Sequence, residues 1–466
     1  MNQQPKSSYL NGLKSIFMAM LMVPSVVVLA QENGDKSPMN APRPFARNIT
    51  LNEAVQLGVD NNKMLKLSNA KIAEAKANVK IAEDHRLPDL KASGSFMKLN
   101  TPDVSLKVKL GSGSGSSGGG ISVDRIGYGM INASVPVFGG FAIKYGIESA
   151  KFLEKAVELD ALTDKEGVIN NTVAAYGNIY KLLKAMDLLK ANANRQMQRV
   201  RDFENLEKNG MLAHNDLLKA QLAQSNIELN LMEVENNYKL ACVNMALMLG
   251  LPEETQFIPD SASFNDNEYS GTLVSWEQVA MQNRPDYFSL ENKEKAMNAS
   301  LKATKGEYYP GLAVTGGYIA ADIPNFITIT NAVNVGVGLQ YNIGSLWKTG
   351  AKVNAAKARL NQVQISQSML TDKIHIEVTQ AYENYLLAKK KTEVYAKEIE
   401  QATENFRITK NKFNNNLVTT TELLDADVAQ LQATINYNMS KADAILAFKK
   451  LEEVAGTLSK EFENKK

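Results

Sequence analysis

The sequence predicts a mainly α protein with a transmembrane β-barrel, built from long antiparallel helical hairpins and four strands per chain. Three observations predict it. All 13 prolines lie at or before Pro324 and none lies between Pro136 and Pro252, so two stretches of more than 100 residues lack the strongest helix breaker. Each stretch is cut once by turn formers, at Asn209-Gly210 and at Asn414-Asn415-Asn416. Between the helical stretches lie short segments that alternate apolar with small or polar residues.

Taken in order, the chain starts with Lys6 and Lys14 ahead of an apolar run, Ile16 to Leu29, that closes in Val28-Leu29-Ala30. This reads as a secretory signal over 1–30, because the run is short for a membrane span and contains Pro24. The residue after the expected cut is Gln31 rather than Cys, so no lipid anchor is expected there. An extension over 31–50 follows, and then a helix over 51–87, about 52 Å long from Leu51 to His85. The first strand pair is expected over 88–138, with a flexible loop at 111–120, and the first long hairpin over 139–250. In that hairpin a helix of about 100 Å, Phe141 to Lys208, returns through one of only about 57 Å, Leu212 to Leu249. Its expected seam is Tyr176, Ile179, Leu183, Met186, Ala193, Met197 and Val200, with Lys190 a polar intruder. A linker over 251–282, a helix over 283–309, a second strand pair over 310–343, a second hairpin over 344–458 and a tail over 459–466 complete the chain.

The two halves are copies of one unit. At an offset of 222, Asn61, Lys71, Ala77, Lys80, Pro88, Leu90 and Gly94 meet Asn283, Lys293, Ala299, Lys302, Pro310, Leu312 and Gly316. At an offset of 206, Leu217, Leu218 and Ala220 meet Leu423, Leu424 and Ala426. The difference, 222 − 206 = 16, is extra chain in the first strand pair and includes the Gly/Ser run at 111–120. That run contains a formal G-x-G-x-x-G, but a strand-like segment follows it and not a helix, so a nucleotide loop does not fit. A natural hairpin loop and an inserted linker read the same way.

In the last strand Val333, Val335, Val337 and Leu339 alternate with Asn334, Gly336 and Gly338. The apolar series suits lipid on one face and water on the other, and it also suits a half-buried strand of a soluble sheet. Tyr308, Tyr309, Phe138, Phe141 and Trp347 near the strand ends suit an interfacial belt. Four strands cannot close a barrel and open edges are not tolerated in lipid, whereas three chains would supply 3 × 4 = 12.

"LPDL" at 87–90, "ASVPVFGG" at 133–140, the first reversal, "NRPD" at 283–286 and the second reversal, an ordered set from two copies of one unit, resemble the TolC-like outer membrane efflux proteins over about residues 49–458. The resemblance implies a homotrimer with a 12-stranded barrel in outer membrane lipid of a Gram-negative bacterium. Its helices would form a periplasmic α-barrel whose tips meet a periplasmic adaptor and an inner membrane pump, making an efflux or secretion channel. The family's acidic entrance rings map onto Glu422 and Asp425, and a further tip aspartate onto Asp216. The docking tips map onto Asn209, Gly210, Met211 and Leu212 and onto Asn416, Leu417 and Val418. An arginine that latches some family tips falls on Val418, so that latch is in doubt.

Bland roles stand beside these. Glu422 lies three residues after Thr419, the capping-box spacing, and Asp216 suits the first turn of a helix. Long hairpins also fit a periplasmic adaptor or a structural coiled coil, although neither needs two strand pairs. Without residues 1–30 the chain has 52 − 2 = 50 bases against 50 acids, which gives no reason to expect nucleic acid. The lone Cys242 cannot form an internal disulfide, and His85, His214 and His375 are scattered, so no metal, cofactor or catalytic constellation is expected.

Overall fold

The computed structural model describes residues 46–100, 123–261, 271–324 and 327–463. The expected signal segment and the 111–120 loop lie outside these residues. The first half comprises β1 (Ala46–Ile49), α1 (Leu51–Asn61), α2 (Lys63–Asp84), β2 (Asp89–Lys98), β3 (Arg125–Gly139), α3 (Ala142–Lys208) and α4 (His214–Leu249). The second comprises β4 (Gln256–Pro259), α5 (Leu273–Asn283), α6 (Pro285–Gly306), β5 (Gly311–Ile323), β6 (Ile327–Gln340), α7 (Ser345–Asn414), α8 (Thr420–Val454) and α9 (Leu458–Glu463).

Four expectations need correction. The helix expected over 51–87 is broken at Asn62, which leaves helical geometry and caps α2 through its side chain. The extension 31–50 ends in β1, which pairs in parallel with β4 from inside the expected linker 251–282. That linker also holds most of α5, started by a Thr272–Ser275 capping box. The tail 459–466 begins inside α9, whose Leu458 is fully buried. In each case a short segment gains order by packing on the long helices, which local propensity does not report.

Hydrogen-bonded strand order is β2-β3-β5-β6, all antiparallel, with β2 and β6 as edges. Partners in the ladder share a face. One face carries Leu90, Ile131, Val135, Leu312, Val314 and the β6 series Val333 to Leu339. The other carries Lys91, Asn132, Gly317 and Asn334 in one row. Gly317 is required there, since a Cβ would lie 2.7 Å from Asn132 Oδ1 and 2.8 Å from Asn334 Oδ1. Pro136 sits at a β-bulge, where a missing N–H is tolerated. The bulge leads into Gly140, at φ 61°, where a Cβ would fall 2.1 Å from Gly306 O. This close approach locks the start of α3 against the end of α6.

Each strand continues a helix, so beneath the sheet the helices pack in the same order, α2-α3-α6-α7. Toward the other end the order becomes α4-α3-α8-α7. Two shorter helices therefore replace each other along α3. Between the two sets, Ile49, Tyr176, Met245, Leu249 and Phe257 form a core around the β1–β4 pair. Tyr176 Oη donates to Ile49 O at 3.0 Å and accepts from Asp260 N at 2.8 Å, which ties the strands to α3.

Candidate functional site

The helical ends away from the sheet hold most of the candidate residues. The first reversal closes α3 with Gly210 at φ 70°, and Gly210 N and Met211 N donate to Glu207 O and Leu206 O. The second uses Asn416 at φ 58°, with Asn416 N and Leu417 N donating to Phe413 O and Lys412 O. Met211 and Leu417 are the most exposed large apolar residues here, at 73% and 72%. Beneath them Val200, Phe203, Leu217, Ala220 and Leu423 bury a shared core, with Phe203 stacked on Phe413. Both hairpins are thus joined at their ends, with Leu212 partly buried against that core and Val418 half-buried.

The carboxylates differ in their surroundings. Asp216 accepts from Lys219 at 3.1 Å, and Lys219 also donates to Thr421 of the second hairpin at 3.2 Å. Glu422 completes a capping box: Thr419 N donates to its Oε1, and its own N donates to Thr419 Oγ1, both at 3.3 Å. Its carboxylate is nevertheless exposed, and so is that of Asp425 one turn on. The structure places Glu422 and Asp425 on one face of α8 and sets Asp216 on α4 with its own counterion.

Sequence reasoning missed a buried polar layer two turns further in. Asp427, 2% exposed, accepts from Gln196 Nε2 at 2.5 Å and from Arg199 Nη1 at 3.0 Å. Apolar layers flank it, one at Phe203 and Leu423, the other at Leu189, Ile227 and Leu431. This layer clamps α3 to α8. The seam expected through Ala193 and Met197 runs one residue earlier, through Leu189, Asn192 and Gln196, and Lys190 is exposed and paired with Glu235. A search for apolar residues cannot choose a seam built partly from buried amides. The available signal was Asp427 itself, a carboxylate in the heptad series Thr420, Leu423, Leu424, Leu431.

A second ionic junction joins α6, α7 and α8. Arg284 of the "NRPD" motif donates two hydrogen bonds to Asp286, one to Glu377 at 2.7 Å and one to Val454 O at 3.2 Å. The two carboxylates hold its guanidinium above its ordinary pKa despite burial. Burial pushes the Glu166 carboxyl up, against donation from Ser459 N and Oγ at the start of α9. Among the described residues no cluster of His, Cys, Asp and Glu has the arrangement to hold a metal ion.

The family model described as outer membrane efflux protein matches residues 54–251 and 276–457. The chain belongs to that family. It is 21% identical over 342 residues to outer membrane efflux protein BepC of Brucella suis biovar 1, spanning 72% of this chain and 69% of that one. It is 22% identical over 278 residues to outer membrane protein OprJ of Pseudomonas aeruginosa, spanning 59% of this chain and 55% of that one. The solved CmeC outer membrane channel of Campylobacter jejuni superposes with a TM-score of 0.76 at 18% identity, over 89% of this chain and 88% of that one. The protein is an outer membrane efflux channel, not an enzyme, and its fold is that of the TolC-like channels.

Proposed function

We propose that three copies of the chain close into one continuous conduit, a 12-stranded barrel in the outer membrane and a helical tube in the periplasm, that receives substrate at the two reversals. The observation that carries this reading is that the sheet and the helical layer each end in two unpartnered edges. The sheet ends in β2 and β6, whose free backbone groups lipid does not tolerate. The helical layer ends in α4 and α7. Exposed Leu218, Leu222, Leu229, Leu240 and Leu247 line α4, and exposed Leu387 and Val394 line the stretch of α7 at the same distance from the reversals. Two different edges that meet make a heterologous contact, which closes into a ring when the rotation between copies closes. Detergent-extracted protein is expected to run as a trimer. Cysteines at Leu240 and Leu387, exposed residues level with each other on α4 and α7, would test the pairing between neighbouring copies, and a monomer that conducts would refute the tube.

In this reading Val333, Val335, Val337 and Leu339 face lipid, and Val335→Arg near the midplane costs about 2–4 kcal/mol. Asn209, Gly210, Met211, Leu212, Asn416, Leu417 and Val418 form the surface that meets a periplasmic adaptor and an inner membrane pump. The exposed Met211 and Leu417 supply its apolar contact. Glu422 and Asp425 would each become a ring of three carboxylates at the narrow end and favour cations. Asp216, paired with Lys219, adds little. Deleting either reversal without loss of efflux or of adaptor crosslinking would overturn the docking assignment.

A further inference from the structure

A pocket of about 390 Å3 opens between α2 and α3 directly beneath the sheet. Arg86, Lys144, Lys151 and Lys155 line it, with Glu148 the acid among them, and Ile147 and Phe152 give it apolar walls. Glu83 neutralises Lys151 at 2.7 Å, which leaves Arg86, Lys144 and Lys155 facing one carboxylate. The level of the pocket in the molecule matters. Arg86 lies in the turn just before β2, and Lys144 lies in the first turn of α3, just after β3. Exposed Leu87 and Phe141 stand at the same junctions, and Phe141 packs edge-on against Phe138 at the end of β3. Exposed apolar residues therefore stand between the sheet and the cationic pocket.

We propose that this pocket binds the phosphodiester headgroup of an anionic phospholipid from the periplasmic leaflet of the membrane. The chemistry selects it twice. Guanidinium and ammonium groups both bind phosphate oxygens. The apolar walls and the neighbouring Leu87 and Phe141 give the acyl chains a path to the sheet, which a free phosphate would not use. A basic residue near an anionic bilayer surface is attracted to it, so three of them acting together distinguish an anionic headgroup from a zwitterionic one. The inference rests on the reading that the apolar sheet face meets lipid.

The test uses the full chain reconstituted in nanodiscs of phosphatidylcholine doped with phosphatidylglycerol. Lipid that survives detergent extraction is counted by native mass spectrometry. The wild-type protein is expected to retain phosphatidylglycerol over phosphatidylcholine. The Arg86→Gln, Lys144→Gln, Lys155→Gln variant is expected to lose about 10- to 100-fold in that affinity with unchanged single-channel conductance. Lys155→Glu alone, which leaves the helix–strand turns intact, is expected to show the same direction. Equal retention in all three proteins would overturn the site. Displacement of the lipid by inorganic phosphate would overturn its assignment to a lipid in favour of a free anion. Failure of the wild-type protein to enter nanodiscs would instead overturn the membrane reading of the sheet, and the pocket with it.

Discussion

The two reversals solve one mechanical problem with different residues. Both end a helix of about 100 Å and turn it through a left-handed residue, glycine at 210 and asparagine at 416. The first return helix starts at Ala213 with no side-chain cap, the second at Thr419 with a complete box. The first carries an acid already neutralised by Lys219, the second two exposed acids on one face. The difference teaches that duplication preserved the turn, which geometry demands, and freed the charge, which it does not. The charge of the second copy is what remains exposed.

Four measurements would break or sharpen this contrast. The largest effect is expected where the two hairpins meet. Asp427→Ala leaves Arg199 buried without its carboxylate and is expected to cost about 3 kcal/mol, read as a lower midpoint of thermal unfolding. An unchanged midpoint would show that the clamp contributes nothing. Next, Gly210→Val forces a β-branched residue into the left-handed region and is expected to cost about 1–2 kcal/mol. Nothing lies within 4 Å of a Cβ at Gly210, so the cost is conformational, and Asn416→Gly should be neutral or mildly stabilising in the same assay. A smaller change follows from the caps. Thr419→Ala should lose about 1 kcal/mol, and Ala213→Ser should gain a similar amount or less, bringing the two returns closer together.

The smallest stability effect belongs to the residue with the largest expected effect on conduction. Glu422→Gln keeps the box, because glutamine also serves there, so its unfolding midpoint should hardly move. Combined with Asp425→Asn it should abolish most of the cation preference, measured as a single-channel reversal potential in a salt gradient. Asp216→Asn should leave that potential close to wild type. If all three give the same potential, the asymmetry between the copies has no electrical consequence.

Much of the helical architecture was legible from punctuation alone. The absence of proline and the two turn clusters locate α3, α4 and α7 to within a few residues, because long helices obey local rules over many turns. The strands were legible from alternation, since successive side chains of a strand point to opposite faces and two unlike faces give a period of two. The tips were legible because left-handed turns favour glycine and asparagine.

What only the tertiary structure decided is pairing. The sequence could not say that Asn62 ends a helix that continues smoothly in composition, or that β1 finds β4 more than 200 residues away. It could not say that Asp427 faces Gln196 and Arg199 rather than water, or that Arg86 and Lys155 line one pocket. Helix formation and strand alternation are decided by neighbours along the chain, so they are written locally. Buried polar layers and shared pockets depend on which surfaces meet, and that is set by the packing of distant segments against one another.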